Sequence, residues 1–589
     1  MLTHSEEIIY TSLGDLKLLD RSERQRRLLK LTEEGRKQPG VEFPVPGDQP
    51  HVLVIRANLS RQVRFGSAEA DAQIVRHGLR RLCGLFERIN KGEKTIDELG
   101  VDGKLVRKHL FKDYMFTATI GFGLGFFDRL NISTHMRPKN LRILPDHAEL
   151  GDPTPYSLAQ TDLIIQIASS EEFINRYVLE NALQAAQQNE ETAGSTDCPE
   201  GFPLKPNQIC CADGQIVDKD EKCTPDITSA LEGWAIIVDV NDGFQRLDGR
   251  NLMGFNDGVS NLVPGSGASF DDVVWTTKQD EGENLKDGTY MVFQKIEHDL
   301  DQWRQLSLAQ QEDWVGRKKI TGLLKGTLSD EEDKILGQKL ISPNIRVREE
   351  AFKRLRELSK EQRDPSKRFY DDMKFRNAVP AWSHIRKANP REELVDKSKG
   401  DKNGRIARHQ IFRRGYLFVE NDVNNDIRSG LLFICFQRNI DQGFEFIKKN
   451  WLNNKNFPVP FSGPNLKRTF TPQELSNRHK HGRLTFEELI QIRNDLGKRR
   501  LLGLESDNDF NDALRDAGVV IRRYPAQTVK DVIVTDFQNT GREGLAGPSE
   551  MGAIPAGQFF AIIPMGGGYY FVPPTPNKSV KDIGQQFFD

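Results

Sequence analysis

Residues 51–59, HVLVIRANL, crowd apolar side chains together as a strand buried on one or both faces must. The segment AEADAQIVRHGLRRLCGLFERIN follows, with apolar residues at helical spacing, the pattern of an amphipathic helix. Next come YMFTATIGFGLGFF and TDLIIQIAS, both strand-like, then EEFINRYVLENALQAAQQ, a helix, and GWAIIVDV, a strand. Strand, helix, strand, strand, helix, strand is the order of a ferredoxin-like α+β domain. No other feature narrows the fold as far.

The second half partly repeats the theme. GTYMVFQKIEHDL reads as a strand entering a charged helical region, SGLLFICFQRN as a strand, QGFEFIKKNWL as a helix, and GQFFAIIPMGGGYYFVPP as a pair of strands. Two related ferredoxin-like halves with antiparallel sheets (the dimeric α+β barrel type), plus polar insertions, are expected. A chain of 589 residues also exceeds what one core supports. The limits read as a polar, solvated helical arm at 1–48 and a first half at 49–262 with a cysteine-rich insert at about 187–227. A second half at 263–589 carries a polar helical insertion at about 455–550.

Lys and Arg number 83 against 85 Asp and Glu, so the basic excess of a nucleic-acid-wrapping protein is missing. No apolar run approaches the ~18 residues that span a bilayer. The start, MLTHSEEIIYTSLGDLKLL, lacks the cationic and apolar regions of a secretory signal. A cytoplasmic protein without nucleic-acid or membrane partners is expected. Cys83 and Cys435 lie in apolar surroundings and read as buried thiols. Cys198, Cys210, Cys211 and Cys223 cluster in one polar stretch without close CxxC pairs, which favours two disulfides over zinc. Disulfides seldom persist in the cytosol, so the cluster also fits an extracellular protein exported by a non-classical route.

Four short motifs carry chemistry. GFNDGVSN, residues 254–261, is a tight-turn signature that could also aim Asp257 into a pocket. His384 opens HIRKANPR, and from His384 to Arg414 ten cations stand against four acids. A solvated basic loop is one reading of that stretch. The other is an anionic ligand whose centre needs a neutral imidazole and whose rim needs cations. Haem b meets both demands, through iron and two propionates. No CxxCH occurs, which excludes covalent c-type attachment. In RHQIFRRGYLF, residues 408–418, a strand would send Arg413 and Arg414 to opposite faces, one into a pocket and one into solvent. His479 and His481 lie in a polar insertion without acidic ligands nearby and read as a solvated loop.

Taken in order, GxxDG at 254–258, HIRKxxPR at 384–391, IxRRGY at 411–416, GLLFICFQ and the late GGGYYFVPP resemble the dye-decolourising peroxidase family. HVLVIRANLS, TIGFGLGFFDR, TDLIIQIAS, GTYMVFQKIEHDLDQW and WVGRKKITG extend the resemblance over most of 50–455. It implies one haem b per chain, held mainly by the second of two ferredoxin-like domains. Carried over, His384 is the proximal iron ligand, Asp257 the distal acid/base and Arg413 the distal arginine, while Arg391 meets a propionate. Arg413 thus joins His384 and Arg391 among the cofactor's contacts. The implied substrates are hydrogen peroxide and dyes or other aromatic reductants, oxidised one electron at a time. Tyr416 and Trp382 are the candidate electron relays. The acidic partner of the proximal imidazole falls to Asn439 or Asp441, of which only the second is a carboxylate. The alternative is a haem-binding or iron-handling protein with incidental peroxidase activity.

Overall fold

HVLVIRANL is β1 (His51–Leu59), and its alternation sets the plan of the molecule: Leu53, Ile55, Ala57 and Leu59 join one buried cluster, Val52 and Val54 another. Both faces of the strand are covered, which is why the segment is almost wholly apolar. The computed structural model describes residues 37–42, 49–60, 68–90, 95–99, 105–110, 114–152, 154–180, 208–210, 216–218, 231, 234–246, 249–256, 261–262, 268–363, 375, 378–380, 383–390, 409–422, 425–453, 562–575 and 583–588. Asp257, Trp382, Arg391, His479, His481, the insertion at 455–550, most of the arm and three of the four clustered cysteines lie outside them.

Two small hairpins decorate the first half, β2 (Thr95–Leu99) with β3 (Leu105–Leu110), and β6 (Gln208–Cys210) with β7 (Ile216–Asp218). Its four main strands are β1, β4 (Thr117–Phe122), β5 (Leu163–Ser169) and β8 (Ala235–Phe244), paired antiparallel in the order β8-β1-β5-β4. In the second half β9 (Thr289–His298), β11 (Tyr416–Asn421), β12 (Ile427–Gln437) and β13 (Ile562–Val572) pair antiparallel as β13-β9-β12-β11. Each is the expected ferredoxin-like sheet. The two sheets then join edge to edge, β11 with β8 through Leu417 and Phe244, β4 with β13 through Phe122 and Phe571. Eight strands close into an antiparallel barrel. A two-residue strand, β10 (Phe412–Arg413), adds to β12 beside β11.

Val52, Val54, Ile164, Met291, Phe293, Tyr416, Phe418, Leu432, Ile434 and Tyr570 come from six strands and meet in one cluster inside the ring. Outside it, the helix Ala68–Asn90 packs with Phe86 and Leu82 buried. Its mid-helix Gly78 answers to contact: a Cβ there would lie 2.3 Å from the indole of Trp234.

Three features depart from the sequence expectation. The segment at 562–572 is one strand, not two. Gly566 (φ +104) and Gly567 (φ +155) absorb an irregularity after Pro564 in conformations that side chains resist, and Gly566 lies against the carbonyl of Leu158. The end of the arm is not solvated, since Gln38–Val41 is buried and Gln38 bonds the backbone of Ile120 and Pro573. In QGFEFIKKNWL a short α-turn passes into a π-helix, Ile447–Leu452. Cys83 and Cys435 are buried free thiols, as expected. Among the described residues no helix is long and apolar enough to cross a membrane.

Candidate active site

β10 carries Arg413. Directly opposite on β12 is Cys435, so both side chains leave the same, outer face of the barrel. The proximity registers on the thiol, which burial pushes up and the Arg413 charge pulls down. Arg414 goes the other way, as the alternation requires. It does not reach solvent, however: it is 8% exposed and donates to the carbonyls of Gly40 and Val41. The end of the arm intercepts it.

Along the outer face of β12, Leu431 and Phe433 are only half-buried although they lie mid-sheet. Both pack against a cluster of Met253, Phe255, Ile296, Trp303, Leu306, Trp314 and Ile562. Two members matter most for the site. Phe255 lies two residues before Asp257, and Trp314 lies in the last turn of the helix Leu308–Val315, which packs on the helix His384–Ala388. The arginine's face, the approach to the GFNDG motif and the support of the histidine helix therefore meet around one apolar group.

That approach is braced. Arg250 donates to the carbonyls of Gly254 (2.8 Å), Lys319 (2.7 Å) and Ile320 (2.7 Å), and Asn251 accepts from the Phe255 N–H (3.0 Å). Gly254 itself turns with φ +86, while Asp257 and Gly258, two of the three residues expected to take left-handed angles, lie outside the described residues. Beyond the motif's centre, Asn261 bonds the backbone of Arg413 twice.

His384 is half-buried at the first position of its helix, behind Ser383. The helix is short because Asn389 leaves helical geometry and Pro390 follows. Its two cations are not a rim. Arg386 (3% exposed) donates to the Val379 carbonyl at 2.6 Å, and Lys387 (0% exposed) is buried so fully that its amine falls to about 7. The first turn rotates both inward, against the expectation that they balance propionates. Gly316 makes room for the helix: a Cβ there would meet Ile385 at 2.3 Å and Ser383 Oγ at 2.8 Å. The π-helix packs on the same helix, and buried Lys448 ties it to Asp152 (2.8 Å) and Gln294 (3.0 Å).

Of the proximal-partner candidates, Asp441 pairs with Arg142, and Asn439 accepts from the Gln442 N–H. Tyr416 is 1% exposed inside the barrel, on the face opposite Arg413, so it offers no surface to a bulky reductant.

The family models for the N- and C-terminal domains of Dyp-type peroxidases match residues 57–196 and 248–457, more than half of the chain. The chain belongs to the Dyp-type peroxidase family. A dye-decolorizing peroxidase of Rhodococcus erythropolis is 35% identical over 97 residues, 16% of this chain and 27% of that one. A deferrochelatase of Escherichia coli is 26% identical over 234 residues, 39% and 44% of the two chains. The chain thus spans less than half the length of either. Among solved structures, DtpA from Streptomyces lividans aligns at TM-score 0.44 with 22% identity, over 72% of this chain and 89% of that chain. A DyP-type peroxidase from Streptomyces coelicolor aligns at TM-score 0.44 with 21% identity and the same coverage.

Haem b is the cofactor of this family, and the residues present fit it. A guanidinium borders an apolar face that protein covers only in part, and the helix bearing Trp314, which packs on that face, also packs on the His384 helix. Two buried side-chain oxygens, Ser383 Oγ and Asn256 Oδ1, lack hydrogen-bond partners among the described residues, and they adjoin His384 and Asp257 in the chain. Sequence reading missed Gly316 and Asn261. Gly316 sat unremarked in WVGRKKITG, and Asn261 was visible only as the last letter of a turn motif.

Proposed function

We propose that this chain is a haem-dependent peroxidase that uses hydrogen peroxide to oxidise dyes and other aromatic reductants. The observation that carries the reading is Arg413, held on a half-covered apolar face that adjoins both the GFNDG approach and the support of the His384 helix. His384 would bind the haem iron and Arg391 a propionate. Bound there, haem would take two oxidising equivalents from peroxide and pass them singly to a reductant.

The protein's own part is proton handling and charge. Asp257, as a carboxylate, would take the proton that peroxide must lose and return it to the departing oxygen. Arg413 would stabilise the negative charge that develops as the O–O bond breaks, and would keep Asp257 ionised by its proximity. A hydroxyl such as Tyr416 inside the barrel takes no part. The relay role passes to Trp382, which directly precedes Ser383 and the histidine.

The test begins with the visible spectrum of protein supplied with haem, before and after one equivalent of peroxide. A Soret band that changes on peroxide addition supports an enzyme. His384→Ala should lose tightly held haem, and a variant with full haem content and normal turnover would remove His384 from the iron. The rival reading, a haem-binding or iron-handling protein, draws on the similarity to a deferrochelatase. It predicts a ferric spectrum that peroxide leaves unchanged.

A further inference from the structure

Arg413 lies on an edge. β10 pairs with β12 on one side only, through Phe412 with Phe436 and Arg413 with Cys435. The N–H and C=O of Arg413 point the other way, and an unpaired peptide edge of this kind ordinarily seeks a neighbouring strand or water. Here one side chain takes the strand's place. Asn261 Nδ2 donates to the Arg413 carbonyl at 2.7 Å, and the Arg413 N–H donates to Asn261 Oδ1 at 3.1 Å. A carboxamide presents a donor and an acceptor side by side, as a peptide does, so it satisfies both groups at once in the geometry of a neighbouring strand.

We propose that Asn261 is a positioning residue for Arg413. The inference rests on the reading of Arg413 as the distal cation. By fixing both polar groups of one residue, the clamp fixes the φ and ψ of Arg413 and therefore the direction of its Cα–Cβ bond. That direction decides whether the guanidinium lies over the half-covered face of Leu431 and Phe433 or swings toward solvent. The alternation of the strand alone is insufficient, because β10 is two residues long and β11 begins only at Tyr416. Phe412 is anchored inside the barrel at 3% exposed, and Arg414 is anchored by Gly40 and Val41. Asn261 supplies the anchor between them.

The clamp has a second consequence. Asn261 closes the GFNDGVSN motif, so the segment bearing the proposed acid is tied at its far end to the backbone of the proposed cation. Arg250 and Asn251 hold its near end. A shift of either partner is passed to the other through two hydrogen bonds rather than through solvent. Misplacing a catalytic group by about 1 Å can cost on the order of a hundredfold.

Fluoride binding to the ferric haem protein reads this without turnover, because a distal cation stabilises the bound anion. Asn261→Ala should weaken fluoride by about tenfold or more while haem content stays at the parent level. In an Arg413→Leu background the same substitution should add nothing, since the group being positioned is gone. Asn261→Gln keeps both amide groups on a longer stem and should recover part of the lost affinity, which separates positioning from misfolding. Parent affinity in Asn261→Ala with weak binding in Arg413→Leu would overturn the proposal alone. So would equal losses from Asn261→Ala in both backgrounds, or a loss in Asn261→Gln as large as in Asn261→Ala. Parent affinity in Arg413→Leu would instead remove the distal assignment, and the proposal with it.

Discussion

In the first half of the barrel the helices Ala68–Asn90 and Glu172–Glu180 lie directly on the sheet, and Leu82, Phe86, Ile165, Ile167 and Tyr177 are all within 1% of complete burial. In the second half the strand order is the same, but what covers the outer face is different. The short α-turn leading into the π-helix reaches only part of it, through Phe444 against Phe433 and Tyr569, and Leu431, Phe433 and Arg413 keep some of their surface free. One topology has therefore been used twice, sealed over β1 and β5 in the first half and left ajar over β12 in the second. The sealed face gives stability, and the open face gives room for a flat apolar ligand.

The contrast breaks most visibly at two phenylalanines. Phe86→Ala empties a site 1% exposed and should cost about 3–5 kcal/mol of stability, read from urea unfolding, while the folded fraction still takes up haem stoichiometrically. Phe433→Ala, on the open face, should cost clearly less in urea and weaken haem in a titration. The reverse pattern would mean that the open face is structural. Next in size is Arg413→Leu, expected to slow the reaction with peroxide by about a hundredfold in stopped flow with little change in the urea midpoint. Asp257→Asn should be the milder of the two, because water can still carry protons; a loss confined to Asp257→Asn would make the carboxylate dominant.

A smaller effect is expected at Lys387, beneath the histidine helix. Burial lowers its amine to about 7, well below the ordinary lysine value, so the folded state resists protonation there. Between about pH 7 and 10 the unfolded chain binds the extra proton, and this lysine's penalty shrinks as pH rises. Lys387→Met should thus stabilise the haem-free protein below pH 7, by about 1–2 kcal/mol, and the gain should vanish above pH 10. A gain independent of pH would show that packing, not charge, is responsible. Smallest of all, Val240→Thr on the uncovered outer face of β8, 40% exposed, should move the urea midpoint by less than ~0.5 kcal/mol.

Much of this was legible because local pattern carried it. Buried strands announce themselves on both faces, as β1 and β9 do, and the helix Ala68–Asn90 shows its apolar stripe. The opposite orientation of Arg413 and Arg414 follows from strand geometry alone. Other features depend on groups distant in the chain. Nothing near Arg414 shows that Gly40 and Val41 will cover it, 374 and 373 residues away. The Asn261 clamp spans 152 residues, and the closure of the barrel rests on two cross-half pairs. Lys387 reads as a surface cation in a basic stretch, and only the packing of three elements shows it turned inward. The segment around the GGG run reads as a pair of strands because glycines usually mark turns, whereas here they lie within one continuous strand, with Gly566 bridged to Leu158.

Barrel closure has a consequence for how such a chain can grow. The two long polar stretches occupy equivalent connections, between the second helix and the fourth strand of each half: from Glu180 to Ala235 and from Leu452 to Ile562. In both places the strands on either side are already bonded to two neighbours, so added length creates no new sheet edge. Its entropic cost rises slowly, by about 0.6 kcal/mol for each doubling of the loop. These joints behave as docking bays in the blueprint, open to new cargo without redrafting the barrel. A foreign domain spliced between Glu180 and Ala235 would ride on the sealed half, while one placed after Leu452 would hang from the π-helix that braces the histidine. The first would be a passenger, and the second a handle on the chemistry.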